Sequence, residues 1–551
     1  MRITWLSIEA SFSHASLALP TLERACSTTI DAAWSVVRGT VTDAPDVLAR
    51  EVLDQSPDVV LATAYLFTVQ PLVRVLERAT ALRPDLQVLM GGPEFLGLNR
   101  SRLEQWPWLT AVVRGDGEPA LPYWLDVHRD RREWQAVPGL CWIDAGGEYR
   151  DNGRAVLRAP LPPPAHESPL FAWDQPFVQV ETQRGCPHRC SFCTSAEAPL
   201  VTLLNVDQVR AVLDTCRDKG VREVRILDRT FNADHRRCTE LLRLFRTEFA
   251  DLHLHLEWFP QPLTEDVHRE LQAMAPGHLT LDVGFQSSSP ASLRSVERRA
   301  ETERAWHGLQ QLCALPATRV HADLLAGMPH AELETLVQDV GRMLVIQADE
   351  VQLERLKVLP GTPLHRHAAA LGVVFAPSPP YEVLRSPGMD TTDLESAAYV
   401  ARFLDRYANH PALHRAVLAA CREEGSFLES FTIWARERAF LDAPRSLVSR
   451  FEHLYDYARE NGRRETAELV QREWMRQGLS PSHGICQAEA DRFPLPGDAV
   501  CLYREEPENG AEPKGRAWRL EQAEATYWYV YGRRDAGKKA IAEYRRGTRG
   551  D

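Results

Sequence analysis

The chain has 551 residues, with Lys+Arg 64 against Asp+Glu 76 and a net charge of −12. At roughly 150 residues per domain it holds about three or four domains, so no disulfide is needed to secure a small core. The acidic balance argues against broad capture of nucleic acid or anionic membrane, and 44% hydrophobic with 25% charged residues excludes a disordered chain.

The start, Met1 to Glu9, reaches a carboxylate at once and lacks the apolar region of a signal peptide. Val59 to Val69 is the longest apolar-looking stretch; Thr63 and Thr68 interrupt it, and it is far below the ~20 residues of a spanning helix. A cytoplasmic protein is expected, in which clustered cysteines favour metals over disulfides.

Residues 1–127 alternate strand and helix patterns. Strands are expected at Arg2–Ile8, Ala33–Val37, Val59–Ala64, Val88–Gly91 and Ala111–Val113, with helices such as Pro45–Leu53 and Val69–Leu82. This alternation predicts a parallel sheet with helices on both faces, whose ligand sites lie beyond the strands' carboxyl ends. Residues 128–172 read as a linker. It carries a hairpin, Gly139–Trp142 with Glu148–Ala155, and then Pro160, Pro162, Pro163 and Pro164.

A second alternating series occupies 173–370. Its expected strands are Phe177–Thr182, Glu223–Leu227, Leu252–Glu257, Leu279–Phe285, Arg319–Leu325 and Glu350–Leu356. Helices Val206–Lys219, capped by Asn205, and Thr264–Met274 fall between them. Six βα units predict a partial barrel with its chemistry at the strands' C-terminal ends. Residues 371–551 have helical period in Thr392–Tyr407, Pro411–Glu424 and Arg445–Asn461, and few strand signals before Ala499–Tyr503. A mostly helical domain is expected there.

Eight of the eleven cysteines (Cys26, Cys141, Cys216, Cys238, Cys313, Cys421, Cys486, Cys501) are scattered and read as small hydrophobes. The other three fall in Thr182-Gln183-Arg184-Gly185-Cys186-Pro187-His188-Arg189-Cys190-Ser191-Phe192-Cys193. Three soft thiolates so spaced can wrap one iron–sulfur cluster and leave one iron of a cubane open. Zinc held by the same cysteines and His188 is the alternative, although His188 on so tight a loop would be strained.

This loop, with an aromatic before the third cysteine and a strand before the first, resembles that of the radical S-adenosylmethionine (SAM) enzymes over residues 175–365. The resemblance implies a [4Fe-4S] cluster on Cys186, Cys190 and Cys193, with SAM chelated by the open iron and cleaved to a 5′-deoxyadenosyl radical. It implies Phe192 near the adenine and further SAM contacts from Asp228, Glu257, Gln286, Ser287 and Asp323. Residue by residue, plainer roles compete: Asp228 or Asp323 as helix caps, Glu257 as an interior ion-pair partner. Lys357-Val358-Leu359-Pro360-Gly361-Thr362-Pro363-Leu364 resembles the family's segment after the sixth strand.

An α/β domain before such a barrel resembles the flavodoxin-like (Rossmann-type) cobalamin-binding domain of the cobalamin-dependent subclass. Gly91, Gly92 and Glu94, then Arg114, Gly115, Gly117 and Glu118, resemble turns that approach the corrin, where glycine admits a large flat ligand. Tyr65 and Phe67 are candidate cleft aromatics, or plain core. No Asp-x-His-x-x-Gly run follows the first strand, and His14 is a poor match for a lower axial ligand. A domain that keeps this fold without the cofactor is the competing reading. Ser13–Leu19 and Pro379–Leu384 resemble a branch with a C-terminal domain of unknown function, to about residue 405.

These resemblances imply a methyltransferase acting on an unactivated carbon or phosphorus centre of a small molecule or peptide. An electron donor such as flavodoxin or ferredoxin is implied, with no membrane or nucleic-acid partner. Rearrangement, cyclisation or oxidation without methyl transfer is the first alternative, and a non-catalytic zinc or RNA-binding protein the second.

Overall fold

A computed structural model describes residues 1–11, 15–158, 161, 168–197, 201–491, 495, 499–504, 515–532, 540 and 542–547. They form two compact units: Met1–Glu332 with Arg355–Leu394, and Leu333–Glu354 with Glu395–Asp551. His14 and the prolines Pro160 and Pro162 to Pro164 lie outside the described residues.

In the first unit, apolar runs at Arg2–Glu9, Ala33–Thr40, Val59–Thr63, Gln87–Gly91 and Ala111–Val113 pair as parallel strands. Their lateral order is second, first, third, fourth, fifth. That is the flavodoxin-like order, which puts ligands at the carboxyl ends beside the switch point. Alternation splits the core between the two faces. Leu6, Val60, Ala62 and Val88 pack with Leu48, Val52, Leu72 and Leu76 on one side. Ile3, Trp5, Leu61 and Leu89 pack with Leu19, Trp124 and Trp134 on the other.

The expected linker hairpin forms at Leu140–Ile143 and Tyr149–Asp151, but it is not a connector. It extends the sheet, with Val112 pairing antiparallel to Cys141. Leu140, Cys141 and Trp142 are buried, so this apolar strand covers what would be an open sheet edge.

The second series supplies parallel strands Val178–Val180, Glu223–Ile226, His253–Trp258, Leu279–Gln286 and Thr318–Ala326, each paired to the next. Leu254, Leu256 and Trp258 are buried, whereas His255 and Glu257 alternate with them on the opposite, partly accessible face. Asn205 and Gln208 form a capping box on helix Val206–Asp218, and Thr264 caps Glu265–Gln272. A sixth strand, Glu350–Arg355, follows later in the chain.

The break between units falls at Leu394, not near residue 371. The strands Val374–Phe375 and Val383–Arg385 pair, and the Tyr381 hydroxyl donates to Glu94, which fastens this segment to the first unit. The second unit is also less helical than its periodicity suggests. Helices His414–Glu423, Phe427–Glu437, Leu447–Glu460 and Arg464–Arg476 surround Phe427, Phe431 and Tyr457, whose rings lie 5.2–5.5 Å apart. Beyond them lies a five-stranded antiparallel sheet ordered Glu489–Asp491, Gly515–Glu521, Ala525–Gly532, Ala542–Gly547, Val500–Arg504. Its central strand, ATYWYVYG, is rich in β-branched and aromatic residues, a strand signal hidden among polar neighbours.

Candidate functional site

The first barrel strand stops at Val180 because the chain then turns onto a carboxylate. Asp228 is fully buried and accepts from the backbone N–H of Thr182 at 2.8 Å and of Gln183 at 2.7 Å. The Thr182 hydroxyl donates to its second oxygen. The cysteine loop therefore starts from a fixed point.

Beyond it Cys190 is buried, and Cys186 and Cys193 are partly accessible. Each sulfur has a polar neighbour at 3.4 Å: Thr230 Oγ1 at Cys186, the Ser195 N–H at Cys193 and Arg298 Nη1 at Cys190. Burial pushes the Cys190 thiol up, Arg298 opposes the rise, and the thiols of Cys193 and Cys186 lie near enough to add to it. The loop is pinned by the Ser191 N–H to Val296 O at 2.8 Å and by the Leu364 N–H to Ser191 O at 2.9 Å. Soft sulfurs, two of them accepting from N–H donors, suit an iron–sulfur cluster, whose electronics such bonds tune. His188 stacks on Phe259 with ring centroids 4.0 Å apart, and burial followed by Arg298 lowers its pKa to about 4.

The expected SAM contacts separate into two groups. Phe192 is half-buried within the loop. Glu257 and Asp323 lie on the concave face of the barrel, and burial raises the Glu257 pKa. Gln286 ends the fourth strand at φ 75°, an unusual conformation for a non-glycine, where the register with the fifth strand shifts. Ser287 Oγ accepts from the Ser289 N–H at 3.1 Å and so shapes its own turn. Asp228 caps no helix, and both of its oxygens are engaged, by Thr182 and Gln183.

Burial pushes the Asp228 pKa up to about 6, against the opposing Arg237 charge 3.9 Å away. Asp228→Asn is expected to keep both backbone bonds, which share one oxygen, and to retain its iron. Asp228→Ala leaves two buried N–H groups unpaired and is expected to cost about 2–4 kcal/mol and most of the iron. Urea unfolding and iron analysis check both outcomes. Normal iron in Asp228→Ala would remove the positioning role.

The carboxyl ends of the amino-terminal sheet face this loop across a cleft of about 410 Å³. Tyr65, Gly91, Gly92, Gly115, Gly117 and Glu118 line one side, and Glu181, Arg184, Gly185, Leu227 and Arg229 the other. Arg184 ties the walls together through Glu118 at 2.7 Å and Glu181 at 2.7 Å. Tyr65 shares a 2.7 Å hydrogen bond with Ser16, and burial raises its pKa.

Two expected cleft residues work elsewhere. Glu94 is buried and pairs with Arg102 and Tyr381, while Arg114 reaches Asp151 at 3.0 Å. Phe67 is 58% exposed, so it is not core. The glycines have an internal explanation as well. A Cβ at Gly92, where φ is +106°, would come within 2.7 Å of Ala64 O. Arg298 and Arg229 have no local signature in the sequence, because only folding brings them to the loop and cleft; Arg184 sits within the cysteine motif, but its partner Glu118 lies far along the chain.

The Radical SAM superfamily matches residues 180–341, the stretch that runs from the cysteine loop through the fifth strand. Those residues are a radical SAM domain. A Pyrococcus horikoshii protein named an uncharacterised methyltransferase is 23% identical over 342 residues, 59% of this chain and 72% of its own. Among solved structures, the Kitasatospora setae radical SAM methyltransferase TsrM, with cobalamin and [4Fe-4S] cluster bound, superposes with a TM-score of 0.54. It is 20% identical and the match covers 68% of this chain and 76% of TsrM. The cobalamin-dependent SAM radical enzyme OxsB with aqua-cobalamin gives a TM-score of 0.58 at 15% identity, covering 87% and 76%. At these identities the likeness to the two structures is one of fold. It extends beyond the radical SAM domain on both sides. No helix among the described residues is long and apolar enough to cross a membrane.

Proposed function

We propose that the chain is a cobalamin-dependent radical SAM enzyme that methylates an unactivated carbon or phosphorus centre of a small molecule or peptide. One observation carries this reading: the cysteine loop and the strand ends of the flavodoxin-like sheet open into the same cleft. The thiol set fits a [4Fe-4S] cluster, and the cleft mixes apolar Trp5, Leu61, Leu89 and Leu227 with polar Tyr65, Glu118 and Arg229, as a corrin with polar side groups requires. When bound, the cluster with SAM supplies a 5′-deoxyadenosyl radical, and cobalamin supplies a transferable methyl group.

The chain's own part is to hold and to exclude. Cys186, Cys190 and Cys193 bind the cluster, with Arg298 placing positive charge against the Cys190 sulfur. The Arg184 tie keeps the cleft walls at a fixed separation. A one-electron donor of the flavodoxin or ferredoxin class and a cytoplasmic setting, where thiols stay reduced, fit this chemistry.

Anaerobic reconstitution with iron, sulfide and hydroxocobalamin tests the reading. About one corrin and one four-iron cluster per chain are expected. With substrate and reductant, 5′-deoxyadenosine and S-adenosylhomocysteine should then accumulate together. 5′-Deoxyadenosine without S-adenosylhomocysteine would replace methyl transfer by rearrangement, cyclisation or oxidation. Failure to retain corrin would reduce the amino-terminal domain to a scaffold.

A further inference from the structure

Three polar side chains inside the barrel belong to neither the cysteine loop nor the cleft. His255, Asp282 and His321 project from the third, fourth and fifth strands of the series onto its concave face. Asp282 stands directly opposite His321 in the parallel register, and His255 lies one alternate position away across the other seam. His255 Nε2 is 2.5 Å from one Asp282 oxygen, and His321 Nδ1 is 3.0 Å from the other. The two imidazoles meet edge to face, at 85° with centroids 5.8 Å apart, so their nitrogens converge on one carboxylate.

We propose that His255, Asp282 and His321 bind a divalent transition metal of the zinc or ferrous class in the barrel lumen. One ligand atom from each residue lies within 4.8 Å of the other two. Ligands about 2.0–2.1 Å from a tetrahedral ion stand about 3.3 Å apart, a spacing inside the 4.8 Å that bounds this set. Two neutral imidazoles and a carboxylate are the donors that borderline metals select, and three protein ligands leave a coordination position open. The side chains are 16%, 29% and 13% exposed for His255, Asp282 and His321, so an ion has access without being fully solvated. Glu257 pairs with Asp282 in register on the same face.

The function this adds is anchoring. A lumen metal with an open position takes an oxygen or nitrogen donor of the substrate, such as a carboxylate or phosphonate, by a bond stronger than a solvated ion pair. The metal site stands apart from the methyl-transfer reading, because neither the cluster nor the cleft enters it; the anchoring role rests on that reading.

Zinc uptake by the full-length protein tests it, read by elemental analysis after chelator treatment and gel filtration. About one zinc per chain beyond the cluster iron is expected at micromolar metal. The same zinc should persist in a Cys186→Ala/Cys190→Ala/Cys193→Ala variant. His255→Ala and His321→Ala should weaken zinc affinity about tenfold to a hundredfold. Zinc should also raise the unfolding midpoint of the wild type but not that of His321→Gln, which keeps the folding question separate from binding. No saturable zinc, or zinc that leaves with the cysteines and survives both histidine variants, would reduce the three residues to a hydrogen-bonded clamp.

Discussion

Cys190→Ala is expected to contain little iron and to form 5′-deoxyadenosine only at background. Cys190 is the buried member of the three, its sulfur lies against Arg298, and its neighbour Ser191 is bonded to both Val296 and Leu364. The loop is thus anchored independently of any cluster, and the variant should fold. What it loses is one of three thiolates, leaving two to hold four irons. Arg298 is then left facing an apolar methyl in place of the sulfur. Iron and sulfide analysis, visible absorption and electron paramagnetic resonance should all report the loss, while circular dichroism stays close to wild type. Full iron content in this variant would end the radical SAM assignment of these three residues.

Gly115→Ala should be among the most damaging single-methyl additions to the amino-terminal sheet. Gly115 has φ +106°, and a Cβ there would press into the Ala155 carbonyl oxygen and lie 2.9 Å from its nitrogen. Both obstacles are backbone, fixed by the Ala155 N–H to Arg114 O bond at 2.8 Å and the Asp116 N–H to Ala155 O bond at 3.0 Å. Left-handed strain of about 1–2 kcal/mol and overpacking of about 1–3 kcal/mol combine to roughly 2–5 kcal/mol. Denaturant titration of the purified variant measures it. A loss below about 1 kcal/mol would mean that the glycine serves a bound ligand rather than the chain's own closure.

That contrast marks what local sequence can and cannot display. Cysteine spacing is short-range information, so Cys186, Cys190 and Cys193 stand out before any fold is known. The βα alternation is also local, and the strands at Ala111–Val113 and Leu279–Gln286 are legible within a residue or so. Pairing across the chain is not. Nothing near Glu94 in the sequence announces its bond from Tyr381, far along the chain, and nothing near Asp228 announces the Thr182 and Gln183 N–H groups it accepts from. The convergence of His255, Asp282 and His321 depends on strand register, which no single segment encodes. The carboxy-terminal sheet was hidden for another reason: its strands are separated by charged and proline-containing stretches without helix or hairpin signatures of their own.

Helix Leu333–Val345 buries Leu336, Val340, Met343 and Leu344, and by chain order it is a barrel helix, falling between the fifth and sixth strands. By packing it belongs with Glu395–Asp551. The chain thus enters the second unit, leaves it and returns. No single cut in the gene separates the two parts: a fragment begun at Glu395 lacks one of its own helices, and one ended at Leu394 carries that helix with its apolar stripe bared. Exchange of carboxy-terminal regions between relatives would have to carry two separated segments, Leu333–Glu354 and Glu395–Asp551, at once. A single crossover would part helix Leu333–Val345 from the segments it is grouped with.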